Sequence, residues 1–346
     1  MSETAERTTD APDDPVAYFL QDLTYHGKTE RTRDSYERVL RDFEAFVRNE
    51  RATELAAATQ RECMAWVHTL RSDHAPSTVA SYASYLHRFY AYMTQVGVFD
   101  RNPMTLVLEE MDESIDTDPE RREIMLPEMR AFVADITHPL DRAVIVTLLK
   151  TGMRVGELCN LDLRDLHLAD EDIDRTYGTA HRAALDGRPD SVYVASEPTR
   201  GEETNDEERV ESNKRKRSTV VPVDSELKRI LKRWLAVRPD PRSPAEPVFC
   251  STREWGRRVT IGMIGQIVTG HAEDHGWYRV GGGAEENVTP HYFRHFFTTH
   301  LRDRTGDRGV VKYLRGDVAS DVIDTYTHNW GGKVRETYEA NIYSLL

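Results

Sequence analysis

The stretch HYFRHFFTTHL, residues 291 to 301, sets three histidines and an arginine beside an apolar helical stripe of Phe293, Phe296, Phe297 and Leu301. Thr289 and Pro290 just before it suit an N-cap and a first helical position. His291 and Arg294 lie three apart near that helix start, so they share a face. Free backbone N–H groups and the helix dipole attract an anion there, and the two side chains add to the pull. His295 and His300 fall on other faces. Two other readings stand beside the anion site. A zinc site would use His291 and His295, but Tyr292 stands where a metalloprotease motif carries Glu, and a third ligand is missing. The plain alternative is a packed helix flanked by polar residues.

TGMRVGEL, residues 151 to 158, holds Arg154 after a turn and before a helix, with Glu157 one turn on to orient its guanidinium. Alone, such an arginine is most simply a solvated surface residue. Paired with Arg294 it offers two planar forks suited to a phosphate. NKRKRSTVVPV, from Asn213, sets Lys214 and Lys216 on the approach to a strand. This is either a flexible basic loop or a mobile lysine that protonates a substrate oxygen as a general acid. VIDTYTH places Tyr326 on a short helix, as a nucleophile or as a half-buried packing residue. The set is two arginines, a lysine, a histidine and a tyrosine, with no acidic metal cluster and no Gly-rich phosphate loop. It can attack a phosphodiester without metal, ATP or other cofactor. The arginines neutralise transition-state charge, and the tyrosine stores the bond energy as a phosphotyrosine.

The elements that must position these residues need more than one core, since 346 residues point to two domains. A hydrophobic fraction of 39% fits a globular chain. No apolar run is long enough to span a bilayer. The polar, acidic start MSETAERTTDAPDD reads as a disordered tail over 1–12, not a signal peptide. Cys63, Cys159 and Cys250 are isolated, which fits reduced thiols in the cytoplasm. A net charge of −13 opposes a nucleic-acid partner unless basic residues concentrate on one inner face.

Helical periodicity runs through residues 13–25, Thr29–Glu50, 59–73 and 75–97, the second helix burying Tyr36, Leu40, Phe43 and Val47. Thr29 or Thr32 suits the N-cap of the second helix, and Ser77 or Thr78 lies near that of the fourth. These four make a helical domain over 13–107. The charged, aperiodic stretch at 108–125 reads as a linker, and a second domain fills 126–346. There LPEMRAFVADI, LDRAVIVTLLKTG and VGELCNL are helical, SVYVA and STVVPV are β-rich, and the long acidic-to-basic segment between them reads as a hairpin loop. DSELKRILKRWLAV returns to helix with Asp224 as its cap, EPVFCS reads as a short strand, and helices follow, including DVIDTYTH and the terminal GKVRETYEANIYSLL. The fold class is mainly α with a small antiparallel β-sheet.

Taken in order, TGMRVGEL, a lysine before VVP, TPHYFRHFFTTHL and YLRGDVASDVIDTYTH resemble the tyrosine recombinases of the phage integrase family. TRDSYERVLRDFEAFV and STVASYASYLHRFYAYM resemble the family's core-binding domain, and the match runs from residue 14 to 330. The resemblance implies a two-domain, C-shaped clamp on duplex DNA, with a helical core-binding domain and a catalytic domain. It implies a site-specific recombinase acting through a 3′-phosphotyrosine, as four protomers on two duplexes, with accessory DNA-bending proteins as further partners and no membrane. A catalytically impaired DNA-binding relative and a topoisomerase-like nicking-closing enzyme are the alternatives. Arg154, Lys214, His291, Arg294 and Tyr326 become catalytic, while His295 and His300 become structural. The family usually carries His or Trp nine residues before the nucleophile, and this chain has Asp317 there, in LRGD, as some archaeal-type members do. A carboxylate cannot donate to phosphate unless protonated, so Asp317 is expected to orient Arg154, His291 or backbone groups. Reading back from VVP without a gap selects Lys214 over Lys216. The terminal helix, with Val334, Tyr338, Ile342 and Leu345 on one face, either packs on its own domain or, as the resemblance implies, docks on a neighbouring protomer. For DNA contact the resemblance directs attention to Thr32, Arg33, Ser77, Thr78, His87 and Arg88, as phosphate contacts that position rather than read sequence.

Overall fold

The computed structural model describes residues 12–115, 119–178, 180–317 and 330–346. The chain divides into two compact units, Met1–Pro119 and Glu120–Leu346. No helix among the described residues is long and apolar enough to cross a membrane. The tail expected over 1–12 lies outside the described residues except for Pro12, as does the helix expected at DVIDTYTH with Tyr326.

The first unit is all helical: α1 (Pro15–Tyr25), α2 (Glu30–Arg51), α3 (Gln60–Asp73), α4 (Pro76–Gln95) and α5 (Met104–Glu110). Asp14 starts α1 by accepting from the N–H groups of Val16 and Ala17. Thr29 caps α2 through the N–H of Thr32. The inner face of α2 is Val39, Leu40, Phe43, Phe46 and Val47, with Tyr36 only partly buried. They meet Trp66, Phe89 and Tyr90 in one aromatic core. Each such side chain contributes about 1.5–3 kcal/mol by leaving water. Ala75 is the N-cap of α4, Pro76 takes the first helical position, and Ser77 and Thr78 follow in the first turn, near the cap as expected. The stretch expected as a linker, 108–125, is taken up at both ends. Helix α5 runs through Leu108 to Glu110 with Val107 buried, and Ile124 belongs to the second unit's core.

The second unit opens with α6 (Leu126–Asp135), α7 (Pro139–Thr151) and α8 (Val155–Cys159). An antiparallel sheet follows, ordered β1 (Leu166–His167), β2 (Ser191–Val194), β3 (Thr219–Pro222), with Val192 opposite both Leu166 and Val221. Helix α9 (Glu171–Tyr177) sits between β1 and β2. Then come α10 (Ser225–Leu235), α11 (Ile261–Asp274), α12 (Pro290–Thr305), α13 (Arg308–Arg315) and α14 (Trp330–Asn341). Asp224 caps α10 through the N–H of Leu227. Helix α7 is buried along nearly its whole length, Ala143 to Thr151 inclusive, so it is the central rod of this unit. EPVFCS is not a strand. It makes only single bridges, Asp162 to Pro247 and Cys250 to Arg258.

Two segments are more fixed than their composition suggests. The insert between β2 and β3 is folded: Arg209, 1% exposed, donates to both oxygens of Asp162, and Asn205 donates to Asp162 and to the Ala245 carbonyl. The terminal segment packs within its own chain. Val334, Tyr338, Tyr343 and Leu345 are buried in the second unit's core. Tyr338 donates to the Lys150 carbonyl at 2.9 Å, and Glu226 accepts the N–H of Leu345 at 2.8 Å. The buried Lys150 ammonium pairs with Asp224 at 2.6 Å and Glu226 at 2.8 Å. In the single chain the terminal segment thus covers its apolar face on its own domain, the alternative to docking on a neighbouring protomer.

Candidate active site

Helix α7 ends at Thr151, and Gly152 turns the chain with φ of +60°. A Cβ there would lie 2.2 Å from the ring of Phe297, so only glycine lets this turn seat on α12. Arg294, one turn before Phe297 on the same helix, donates from Nη1 to the Gly152 carbonyl at 2.6 Å. Arg154 then stands at the N-cap of α8. The buried Glu157 carboxylate accepts its backbone N–H at 2.9 Å and its Nη1 at 3.0 Å. This is the orienting role expected of Glu157.

The second fixed point is the end of α13. Gly316 has φ of +68°, its N–H donates to the Tyr313 carbonyl at 2.8 Å, and the N–H of Asp317 donates to the Lys312 carbonyl at 3.0 Å. This Schellman turn directs Asp317 back toward α12. Its carboxylate accepts from Arg154 Nη2 at 2.8 Å and Arg294 Nη2 at 2.9 Å, and forms an ion pair with Arg315 Nη2 at 2.9 Å. Burial alone would raise the Asp317 carboxyl, but Arg294, Arg315 and Arg154 outweigh it and hold its pKa below the ordinary value. Of the partners expected for Asp317, Arg154 is found. Arg294 and Arg315 take the place expected for His291.

Arg294 is 3% exposed, and burial, then the charge of Arg154, lowers its pKa to about 10, still cationic at neutral pH. His291 stands at the exposed rim. Surrounding protein, then Arg294, Arg121, Arg315 and Arg154, lower its pKa, so its imidazole is neutral at pH 7 and able to accept a proton. His300 packs tilted against Phe296 with ring centres 4.1 Å apart, and His295 Nε2 is 3.5 Å from Thr299 Oγ1.

Lys214 and Lys216 are both exposed, and Arg215 between them is buried. Arg215 donates to Glu157 at 3.0 Å, to the Leu314 carbonyl at 3.2 Å and to Thr219 Oγ1. A Cβ at residue 316 would meet Arg215 at 2.5 Å, a second reason for glycine there. On its other side, Asn213 donates to the carbonyls of Ala195 at 2.9 Å and Glu197 at 3.0 Å. Lys214 thus sits between two tethered neighbours, not on a free loop. Arg215 and Arg315 escaped the sequence reading. Tyr326 lies outside the described residues.

In the first unit the six residues considered for DNA contact split between helix starts and the body of α4. Thr32 Oγ1 lies 2.9 Å from Thr29 Oγ1, and Arg33 donates to Thr24 at 2.8 Å. Ser77 and Thr78 are partly buried in the first turn of α4, and the His87 carbonyl accepts from Asn102 at 3.3 Å. Arg88 is exposed and its charge reaches Tyr36.

With this geometry in view, comparison with known proteins is decisive. The Phage integrase family matches residues 202–331, and the phage integrase N-terminal SAM-like domain matches residues 16–97. The chain belongs to the phage integrase family of tyrosine recombinases. Tyrosine recombinase XerC of Pelobacter propionicus is 23% identical over 338 residues, 94% of this chain and 95% of that protein. Tyrosine recombinase XerD of Listeria innocua is 24% identical over 333 residues, covering 94% and 96%. The Tn1549 transposon integrase in complex with a circular intermediate DNA shares the fold with a TM-score of 0.61 at 17% identity, over 93% of this chain and 94% of that one. A lambda integrase tetramer bound to a Holliday junction gives 0.62 at 14%, over 90% and 78%. These two XerC and XerD relatives are bacterial, so an archaeal-type placement finds no support in them.

Proposed function

We propose that this tyrosine recombinase cuts and rejoins duplex DNA at specific sites through a 3′-phosphotyrosine bond. The observation that carries the reading is the meeting of Arg154 and Arg294, from helices far apart in sequence, on one partly exposed carboxylate, that of Asp317. Arg154 and Arg294 hold the non-bridging oxygens of the scissile phosphate. The Tyr326 oxygen attacks phosphorus in line, and the neutral His291 accepts the phenol proton or binds phosphate. As the new O–P bond forms, the bond to the 5′-oxygen breaks, and the Lys214 ammonium gives that oxygen its proton. A 5′-hydroxyl from a partner strand reverses the sequence, so bond energy is conserved and no nucleotide is consumed.

The partner is double-stranded DNA, with strand exchange in a tetramer on two duplexes. The names of the relatives, XerC and XerD, and the DNA-bound integrases of like fold support this. Thr32, Arg33, Ser77, Thr78, His87 and Arg88 serve as backbone contacts that set register. The test is a duplex nicked beside the scissile phosphate, so that the cut fragment diffuses away. Wild type becomes covalently trapped and Tyr326→Phe does not, which excludes a mere DNA-binding relative. Transfer of the trapped strand to a second duplex excludes an enzyme that only relaxes DNA. Absence of trapping overturns the reading.

A further inference from the structure

Arg315 has no part in the reaction above, yet it shares the Asp317 carboxylate with Arg154 and Arg294. We propose that Arg315 is a third phosphate-binding guanidinium of this site, acting on the non-bridging oxygens beside Arg154 and Arg294. The proposal rests on the recombinase reading.

Three observations support it. The first is position. Arg315 ends α13, and the Schellman turn through Gly316 folds the chain so that Arg315 and Asp317 lie side by side at 2.9 Å. The turn is rigidly specified, because Gly316 has a left-handed backbone and Arg215 fills the space a Cβ would need. The Arg315 carbonyl also accepts from Arg294 Nη2 at 3.1 Å, which ties this backbone to the clamp itself.

The second is accessibility. The side chains of Arg315 and Arg154 are each 30% exposed, whereas Arg294 is 3% exposed. Arg315 is therefore as open to solvent as Arg154, beside the same carboxylate. Its Nε is buried and has no hydrogen-bond partner among the described residues.

The third is charge. Among the described residues, Arg154, Arg215, Arg294 and Arg315 gather around two carboxylates, Glu157 and Asp317. The surplus among these described residues is two positive charges in a partly buried cluster, where the charge of Arg154 acts against that of Arg294. The pentacoordinate phosphorane of a phosphodiester carries two negative charges, one more than the ground state. A preassembled surplus of that size stabilises the transition state more than the substrate. Asp317 sets the spacing of the three guanidiniums without cancelling them.

A duplex selected from a random-sequence pool, by its SDS-stable capture on the wild-type protein, supplies the substrate. Its scissile phosphate is made either as the ordinary diester or as a methylphosphonate, in which a methyl group replaces one charged oxygen. A residue that neutralises that charge loses its advantage on the neutral linkage, whereas a residue that only supports the fold is needed equally for both. Arg315→Ala is expected to slow cleavage of the diester by about 100-fold and to match wild type on the methylphosphonate to within a few-fold. Arg315→Gln, which keeps the shape, should behave alike and guards against misfolding. Equal losses on both linkages, or no loss on the diester, overturn the role of Arg315. Arg154→Ala is the internal standard. If it shows relief on the methylphosphonate and Arg315→Ala does not, the inference fails alone. If wild type captures no duplex, the recombinase reading fails with it.

Discussion

The second unit holds two dense charge clusters, and they differ in balance and exposure. In the insert, Arg209 and Arg258 each touch both Asp162 and Glu207, which closes a square of two cations and two anions, with Arg164 at its edge 3.8 Å from Asp162. Arg209 and Asp162 are 1% exposed and Arg258 5%. At the site, among the described residues, four arginines meet two carboxylates, and Arg154, Arg315 and Asp317 stay about one-third open. The closed square spends its charge internally and serves the fold. The open cluster leaves positive charge unspent and serves a ligand. Ion pairs alone do not mark function. The surplus does.

Breaking the square should therefore affect stability, and breaking the cluster should affect chemistry. Asp162→Ala leaves two buried guanidiniums short of a partner and is expected to cost about 3–5 kcal/mol of unfolding free energy, read from urea denaturation, with faster proteolysis of the insert. Arg154→Gln should lower the cleavage rate by about 100–1,000-fold while its urea midpoint stays near that of wild type. An Asp162 variant that kept its midpoint, or an Arg154 variant that cleaved normally, would erase the contrast.

A subtler effect concerns Lys214. Lys214→Ala should slow cleavage of an ordinary 5′-oxygen leaving group and recover on a 5′-sulfur leaving group, which needs no proton. Recovery in Lys216→Ala instead would move the general acid by two residues.

The boxes around Arg154 and His291–Arg294 were legible because residue type and helical spacing alone put the side chains on usable faces. Arg215 and Arg315 were not, since their roles arise from a left-handed turn at Gly316 and from contacts with Glu157 and Asp317, distant in sequence. The insert read as a loop because its composition is polar, and nothing local announces that Arg209 will close on Asp162. The terminal helix showed its apolar period clearly. Period reveals that a face is covered but not by what, and Lys150 and α7 cover it. Helices α5 and α9 and the two-residue β1 are too short to carry a periodic signal, and the EPVFCS run is apolar but finds only isolated bridge partners.

The smallest expected effect is a pH dependence outside both clusters. Burial against Phe296 and Tyr343, then Arg304, holds the His300 pKa below its usual 6.5. As pH falls below 6.5 the unfolded chain takes up a proton that the folded chain resists, so stability declines on the acid side. Melting temperature followed from pH 8 to 5 should fall less steeply for His300→Gln than for wild type.

The central claim, that the open arginine cluster is built for an oxyanion, is tested most directly by crystals grown with selenate. The account predicts an anomalous peak within hydrogen-bond reach of Arg154, Arg294 and Arg315 in wild type, and its loss in Arg154→Gln. Selenate bound only elsewhere, with this cluster bare, would contradict it.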